Sequence, residues 1–304
     1  MSEEDQPVVK SPCELLSIGR SQMVSLLAGT TKISNRKCHV HHSLVADGVD
    51  VLHTIGGDDT NTAAADLAAF LDAHDYGLTV VGLPKTIDND LAGTDRTFGF
   101  DTALQVATDA LDRLHTTAES HDRVMVVEVM GRHTGWIATY AGIAGGATAI
   151  LIPEQPFDID EVCELLAKRH ERGRYASIVV VAEGAEPREG TMASRDKVYD
   201  QFGHVRLGGV AETIAHAIEQ RTGFETRMVL LGHIQRGGTP SAFDRVLSTR
   251  YGVGAIELVH DRKWGHMAAV RQDHIVAVPL SECVGQTRTV DLGLYHDVAE
   301  VFFG

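Results

Sequence analysis

The sequence has 304 residues, of which 43% are hydrophobic and 23% charged, and its formal net charge is −15. This length is comfortable for two hydrophobic cores, so we expect an α/β protein of two lobes. The negative charge excludes nucleic acid as a general partner, because phosphate backbones are bound by basic surfaces. No apolar run approaches a membrane span, and the acidic start at residues 1–7 lacks a secretory pattern. We therefore expect no membrane partner and a cytoplasmic location.

From residue 49 onward, short β-branched runs alternate with amphipathic segments, which is typical of mostly parallel sheets sandwiched by helices. Several of the predicted strands run directly into a glycine or polar turn, where ligands of open α/β sheets bind. We therefore expect the functional residues to lie on these turns. The predicted strands cover 49–55, 78–83, 123–128, 149–152, 177–182, 227–231, 267–270 and 275–278, and the predicted helices cover 61–74, 98–117, 158–172, 210–221 and 241–259.

The first turn is Gly-Gly-Asp-Asp-Thr at 56–60, between a predicted strand and a predicted helix. Paired glycines let the backbone approach a phosphate, and an acidic side chain there can hold Mg²⁺ that bridges phosphate oxygens. By itself the pattern fits equally well a tight turn in which Asp58, Asp59 or Thr60 caps the helix.

The second turn is Pro-Lys-Thr-Ile-Asp-Asn-Asp at 84–90, again after a predicted strand. One carboxylate here can accept the proton of an attacking hydroxyl while another helps to hold a metal, as phosphoryl transfer requires. The alternative is an acidic surface loop. We favour the catalytic interpretation because the acidic turn at Asp58 ends a neighbouring predicted strand.

The third turn is Met-Gly-Arg-His-Thr-Gly-Trp at 130–136, which is expected to open a helix. A positive charge at a helix start is unfavourable, so Arg132 predicts a bound anion at this turn. An exposed arginine beside a glycine turn is the simpler alternative.

The fourth turn is Leu-Gly-His-Ile-Gln-Arg-Gly-Gly-Thr-Pro at 231–240, between a predicted strand and a predicted helix. Arg236 and the upstream Arg227 can clamp a phosphate in bidentate fashion. His233 is either a core histidine or a ligand contact, and the adjacent arginine and glycines favour the ligand contact.

Together, in this order, the four turns resemble the phosphofructokinase family over roughly residues 49–303. The resemblance implies the two-lobed fold and Mg²⁺-dependent phosphorylation of the 1-hydroxyl of fructose 6-phosphate. It also implies a phosphoryl-donor lobe over 1–99 and 235–285, and a sugar-phosphate lobe over 100–234 and 286–304.

Matching motifs imply a role for each residue. Asp88 is expected to be the general base, and Arg132 to stabilise the transferring phosphoryl group that Thr86 contacts. Asp58 and Asp90 are expected to hold the metal. The implied sugar-phosphate contacts are Thr86, Asp88, Arg123, Met130, Gly131, Arg132, Glu183, Arg227, His233 and Arg236. Because Arg123 matches an arginine donated across a subunit interface, the resemblance implies a homodimer or homotetramer.

The donor site is expected to involve Gly57, Asp58, Asp59 and Lys85. Family members that use ATP typically have glycine where Asp59 stands, whereas an aspartate fills that space and repels an α-phosphate. Lys85 adds a positive charge suited to a small polyanion. We therefore favour pyrophosphate as the donor. ATP remains the alternative, since some ATP-using members also carry that lysine.

One departure from the family pattern concerns the amino-terminal region. Family members begin with a strand that ends in a Gly-Gly-Asp-x-x-Gly turn, and residues 1–57 contain no such turn. We therefore expect an incomplete donor lobe with an exposed strand edge, and residues 17–36 are the candidate remnant of a donor loop. A catalytically inactive relative that binds sugar phosphate is accordingly the second hypothesis.

Overall fold

The computed structural model describes residue 44, residues 47–192 and residues 208–300, so the candidate remnant at 17–36 lies outside the described residues. In chain order the elements are β1 (Val51–Gly56), α1 (Asp58–Ala73), β2 (Thr79–Thr86), β3 (Phe98–Gly99), α2 (Phe100–His121), β4 (Val124–Val129), α3 (Trp136–Ala144), β5 (Ala149–Leu151), α4 (Ile159–Glu171), β6 (Ser177–Ala182), α5 (Val210–Thr222), β7 (Thr226–Leu230), a 3-10 helix (Gly232–Arg236), α6 (Ala242–His260), β8 (His266–Arg271), β9 (His274–Pro279), α7 (Leu280–Cys283), α8 (Leu292–Leu294) and a π-helical turn (Tyr295–Ala299). All predicted strands and helices are present, with ends displaced by a few residues.

The described residues form two compact units. The first contains the described chain up to Thr86, together with Leu91–Phe98 and Arg245–Thr287. The second contains Ile87–Asp90, the described part of Gly99–Asp244, and the chain from Arg288 onward. Residues 87–90 and 235–244, which the sequence assigned to the donor lobe, therefore cluster with the second unit.

In the first unit, the sheet has the order β1-β2-β8-β9. Along this order β1, β2 and β8 pair in parallel and β8 and β9 form an antiparallel pair, while β3 pairs with β2 off this path. Because successive side chains of a strand point to opposite faces, each face of this sheet buries its own apolar set. One face packs against α1 through Leu52, Val80, Met267, Leu67 and Leu71, and the other packs against α6 through Val81, Leu83, Ala268, Leu247 and Tyr251.

In the second unit, the sheet has the order β5-β6-β4-β7, and all of its strands are parallel. Every residue of β4 and β6 is buried. Helices α2 and α3 cover one face and α4 and α5 the other, which explains why these strands are almost continuously apolar in sequence.

In the described part of the chain, β1, β9, β5 and β7 lie at the ends of the two strand orders, and of these β1 and β7 expose large apolar side chains. In the second unit, β7 pairs with β4, and Met228 and Leu230 on it are 45% and 55% exposed. In the first unit, β1 pairs with β2, and Ile55 is 48% exposed. No helix in the described part of the chain is long and apolar enough to cross a bilayer.

Candidate active site

The second unit gathers several of the predicted residues at one edge of its sheet. Met130 directly follows β4, Glu183 directly follows β6, and the 3-10 helix after β7 carries His233 and Arg236. Since these three strands are parallel and in register, their carboxyl ends lie at the same edge. This is the edge at which open α/β sheets bind ligands.

Asp88 lies on a short loop that follows the last residue of β2 and clusters with the second unit. The loop turns at Asn89, which is buried and has a left-handed φ of 52°. The hydroxyl of Thr134 donates to the carbonyl oxygen of Asp88 at 3.3 Å. The backbone therefore holds the Asp88 side chain next to the turn that carries Arg132.

The electrostatic environment of Asp88 is unusual for an aspartate. Burial, the largest cause, and the carboxylates of Asp90 and Glu183 together raise its pKa to about 6, although the guanidinium groups of Arg236 and Arg132 act in the opposite direction. Five of the predicted residues are therefore close enough to influence one another. A carboxylate with a pKa near 6 is anionic at neutral pH and more basic than an ordinary aspartate, as a general base requires.

The turn that carries Arg132 is held by Glu183. The Glu183 Oε1 atom accepts the main-chain N–H of Arg132 at 2.9 Å and that of Gly131 at 3.3 Å. The two turns approach so closely that a Cβ on Gly184 would lie 2.3 Å from the carbonyl oxygen of Arg132. Only glycine fits there, so Arg132 and Glu183 have a fixed spacing.

The third turn opens a helix as predicted, but the expectation that Arg132 lies at the helix start was wrong. Helix α3 begins at Trp136, and the N–H of its cap residue, Gly135, donates to both carboxylate oxygens of Glu154 at 3.0 Å. The anion at this helix start is therefore a side chain of the protein. Arg132 instead has a left-handed φ of 52°, and its guanidinium acts on Asp88.

The 3-10 helix of the fourth turn is anchored by Gln235, a residue that the sequence did not single out. Its buried side chain accepts the N–H of Met130 at 3.4 Å and donates to the carbonyl oxygen of Gly232 at 3.1 Å. His233 and Arg236 are exposed on this helix. His233 is therefore not a core histidine.

Arg227 does not join Arg236 in a single chain, so the clamp predicted for this pair was wrong. Arg227 lies at the start of β7, and a five-residue strand rises about 16 Å toward the turn with Arg236. Its guanidinium binds Glu225 at 2.6 Å, and Arg123 binds the same carboxylate oxygen at 2.8 Å. Arg123 and Arg227 therefore form a pair at the amino ends of β4 and β7.

In the first unit, Gly57 is the cap residue of α1 and no side chain caps the helix. The alternative role of Asp58, Asp59 or Thr60 as the cap is therefore wrong. The Asn61 side chain, which the sequence did not single out, donates to the carbonyl oxygens of Gly56 and Gly57 at 2.9 Å each. Asp58 and Asp59 lie in the first helical turn.

The end of β2 lies beside this glycine turn within the first unit. A Cβ on Gly57 would be 3.4 Å from the Cβ of Thr86. Thr86 is buried, and its carbonyl oxygen accepts the hydroxyl of Thr97 at 2.9 Å, whereas Lys85 and Asp59 are exposed. Gly57, Thr86 and Lys85 thus lie together at the carboxyl ends of β1 and β2.

A metal ion fits this chain only if a ligand completes its coordination. Among the described residues, no group of three or more His, Cys, Asp or Glu side chains is arranged to hold a metal. Mg²⁺ in phosphoryl-transfer sites is usually held by one or two carboxylates together with substrate phosphates. Besides burial, repulsion from the carboxylates of Asp90 and Glu183 raises the pKa of Asp88, and a divalent cation would offset this repulsion.

The sequence profile of the family Phosphofructokinase matches residues 22–259. The chain is 57% identical to a pyrophosphate–fructose 6-phosphate 1-phosphotransferase of Streptomyces coelicolor, over 87% of this chain and 75% of that protein. It is 49% identical to an ATP-dependent 6-phosphofructokinase of Mycobacterium bovis, over 95% of this chain and 82% of that protein.

Among solved structures, the fold is similar to that of a pyrophosphate-dependent phosphofructokinase from Marinobacter aquaeolei. The TM-score is 0.73 at 26% identity, covering 87% of this chain and 67% of that one. Parallel sheets with charged and glycine-rich turns at their carboxyl ends place this protein among α/β proteins that bind ligands at that edge. Within that class, the chain belongs to the phosphofructokinase family.

Proposed function

We propose that this protein is a pyrophosphate-dependent 6-phosphofructokinase. It transfers a phosphoryl group to the 1-hydroxyl of fructose 6-phosphate and forms fructose 1,6-bisphosphate and phosphate. The observation that carries the proposal is the Asp88 carboxylate, whose pKa is raised to about 6 between two carboxylates and two arginines. Relatives named for this reaction, such as the Streptomyces coelicolor protein at 57% identity, support the substrate and the donor.

In the proposed reaction, Asp88 accepts the proton of the sugar 1-hydroxyl as that oxygen attacks the donor phosphorus. The bond between this phosphorus and the bridging oxygen of pyrophosphate breaks, and phosphate leaves with the electron pair. Arg132 stabilises the negative charge on the transferring group, and Thr86 contacts it. At pH 7.5 Asp88 is anionic and ready to take the proton, because its pKa is about 6.

Mg²⁺ is the metal that we assign to this reaction, with Asp58 and Asp90 as its protein ligands. When bound, it would neutralise charge on the phosphate oxygens. Asp90 is buried, and its carboxylate raises the pKa of Asp88. The carboxylate that would bind the metal is therefore also one that raises the pKa of Asp88.

The sugar phosphate is assigned to the second unit. Glu183 has one oxygen occupied by main-chain N–H groups and offers its other oxygen to a sugar hydroxyl. Met130 and Gly131 line the same turn. His233 and Arg236 are exposed on the 3-10 helix, where they can bind the 6-phosphate. The second unit is then the sugar-phosphate lobe and the first unit the donor lobe.

We assign Arg123 and Arg227 to the sugar-phosphate site of a second copy of the chain, to which they are donated across a subunit interface. Both bind Glu225, so they present two guanidinium groups together at the end of the sheet opposite Asp88. Met228, Leu230 and Ile234 are exposed apolar side chains on β7 and the following 3-10 helix, and they suit a protein partner. The active form is therefore a homodimer or homotetramer, which we place in the cytoplasm.

The donor assignment rests on Asp59 and Lys85. Asp59 is exposed in the first turn of α1, where its charge would oppose an α-phosphate, and Lys85 is exposed at the end of β2. ATP is the second candidate donor, because the 49% identical Mycobacterium bovis relative is named ATP-dependent.

The test is an assay of the purified full chain with fructose 6-phosphate, Mg²⁺ and either donor. Turnover with pyrophosphate supports the proposal. Turnover with ATP alone would mean that the donor is ATP and not pyrophosphate. Binding of the sugar phosphate without turnover on either donor identifies an inactive relative instead. The Asp88→Asn variant serves as the matched control for contaminating activity.

A further inference from the structure

The loop that carries Asp88 is held by a residue from far along the chain. Arg288 donates from its guanidinium Nη1 to the carbonyl oxygen of Asn89 at 3.0 Å. The main-chain N–H of Arg288 donates to the carbonyl oxygen of Asp90 at 2.8 Å. Arg288 thus holds the carbonyl groups of the two residues that directly follow Asp88.

Arg288 is itself fixed by the turn that carries Arg132. Its guanidinium carbon lies 4.2 Å from the centroid of the Trp136 ring, in a cation–π contact. The indole N–H of Trp136 donates to the carbonyl oxygen of Arg288 at 2.9 Å. A planar guanidinium can stack on an indole and donate at the same time, which an ammonium group cannot do equally well.

A second anchor joins the same two segments. Glu154 accepts the N–H of Val290 at 3.0 Å and the N–H of Gly135 at 3.0 Å. The segment 288–290 is therefore bound to the start of α3 at both ends, directly by Trp136 at Arg288 and through Glu154 at Val290. The start of α3 lies close to Arg132 in the chain. Arg288 joins this anchored strip to the loop that carries Asp88.

We propose that Arg288 is a positioning residue for catalysis, which sets the place of the Asp88 carboxylate relative to Arg132. The inference rests on the proposed function of Asp88. The guanidinium charges that lower the pKa of Asp88 are those of Arg236 and Arg132, so Arg288 acts through the backbone of the loop. The left-handed Asn89 makes this backbone sensitive to the loss of a hydrogen bond at its own carbonyl.

The test compares Arg288→Ala, Arg288→Lys and the control Arg188→Ala, which removes an exposed arginine paired with Asp158 and Glu161 in the same unit. A misplaced reacting group lowers the rate of the chemical step, so kcat of Arg288→Ala should fall by about 10-fold to 100-fold. Its KM for fructose 6-phosphate should change less than about 3-fold, since Arg288 contacts main-chain groups of the loop. Arg288→Lys should retain an intermediate kcat, and millimolar guanidinium should partly restore kcat of Arg288→Ala.

Hydrogen exchange of the peptide 84–92 gives a readout that does not need activity. Arg288→Ala should speed its exchange at least about 3-fold, while Arg188→Ala leaves it unchanged, because Arg288→Ala removes the guanidinium hydrogen bond to the Asn89 carbonyl and so makes opening of the loop less costly. A kcat of Arg288→Ala within about 3-fold of wild type, or a raised KM with unchanged kcat, overturns the proposal. Unchanged exchange in both variants overturns it as well. If the wild type turns over neither donor, the proposed function fails, and the exchange result still decides whether Arg288 holds the loop.

Discussion

Replacing Asp88 by asparagine should stabilise the protein while it removes catalysis. The carboxyl of Asp88 is penalised by burial and by two neighbouring carboxylates, and its pKa rises from 3.8 to about 6. A raised pKa means that the folded state binds this proton more tightly than the unfolded state does. The charged form therefore costs the folded state free energy at neutral pH, and an amide does not carry this cost.

The magnitude follows from the two pKa values. One pKa unit corresponds to about 1.4 kcal/mol, so the rise from 3.8 to about 6 amounts to about 3 kcal/mol at pH 7.5. The same values give about 2 kcal/mol at pH 5 and almost nothing well below pH 3.8. The stability contributed by the protonated carboxyl is full below the unfolded pKa and is lost as the pH rises through the folded pKa.

The assay is urea unfolding of wild type and Asp88→Asn at pH 5 and pH 7.5, without metal or ligand. The control is Asp112→Asn, which removes an exposed carboxylate on α2 and should change the free energy of unfolding by less than about 0.5 kcal/mol. Asp88→Asn should be the more stable protein, with the larger difference at pH 7.5. An equal or lower stability at pH 7.5, or a difference independent of pH, would refute the electrostatic reasoning.

Three further predictions concern activity. In the pH profile of the reaction, kcat/KM should fall as the pH drops below about 6, where Asp88 becomes protonated. Glu183→Gln should shift this fall to lower pH, because it removes a carboxylate that raises the pKa of Asp88. Asp59→Gly should raise the ratio of kcat/KM with ATP to kcat/KM with pyrophosphate by about 10-fold or more. The control is Asp72→Gly at the end of the same helix, because a glycine in a helix costs about 1 kcal/mol of stability at either position. A ratio that changes equally in both variants would contradict the role of Asp59. Mixing inactive Arg123→Ala and Asp88→Asn proteins should restore about a quarter of the wild-type activity, because random dimers with isologous interfaces regenerate one intact site in half of the molecules. No recovery after exchange of subunits would contradict donation in trans.

The sequence predicts the fold well because the signals that define it are local. The buried strands β4 and β6 are continuous apolar runs, and α4 begins directly after Asp158, whose side chain accepts the N–H of Asp160. The family resemblance also implies that Asp88, Glu183 and Arg236 share a site, although Asp88 follows a strand of the first sheet and the other two follow strands of the second.

The residues that the sequence missed act through contacts between distant segments. Gln235 binds the main chain at Met130, and Arg288 binds the main chain at Asn89. Neither contact has a local pattern, because one partner is a peptide group that any residue supplies. Arg132 was misplaced for a related reason: the helix start is set by a contact between Gly135 and Glu154.

Arg227 illustrates the limit set by direction along a strand. It precedes the fourth turn by a few residues in sequence, yet an extended strand carries that turn to the far end of the sheet. Closeness in sequence therefore suggested a clamp with Arg236, whereas the structure pairs Arg227 with Glu225 and Arg123.

The most direct test is the reaction itself, followed by ³¹P NMR on the purified full chain with fructose 6-phosphate and Mg²⁺. With pyrophosphate, we predict signals of fructose 1,6-bisphosphate and phosphate in equal amounts, formed at least about 100-fold more slowly by Asp88→Asn. Product formed with ATP and none with pyrophosphate, or an Asp88→Asn variant as fast as wild type, would contradict the account.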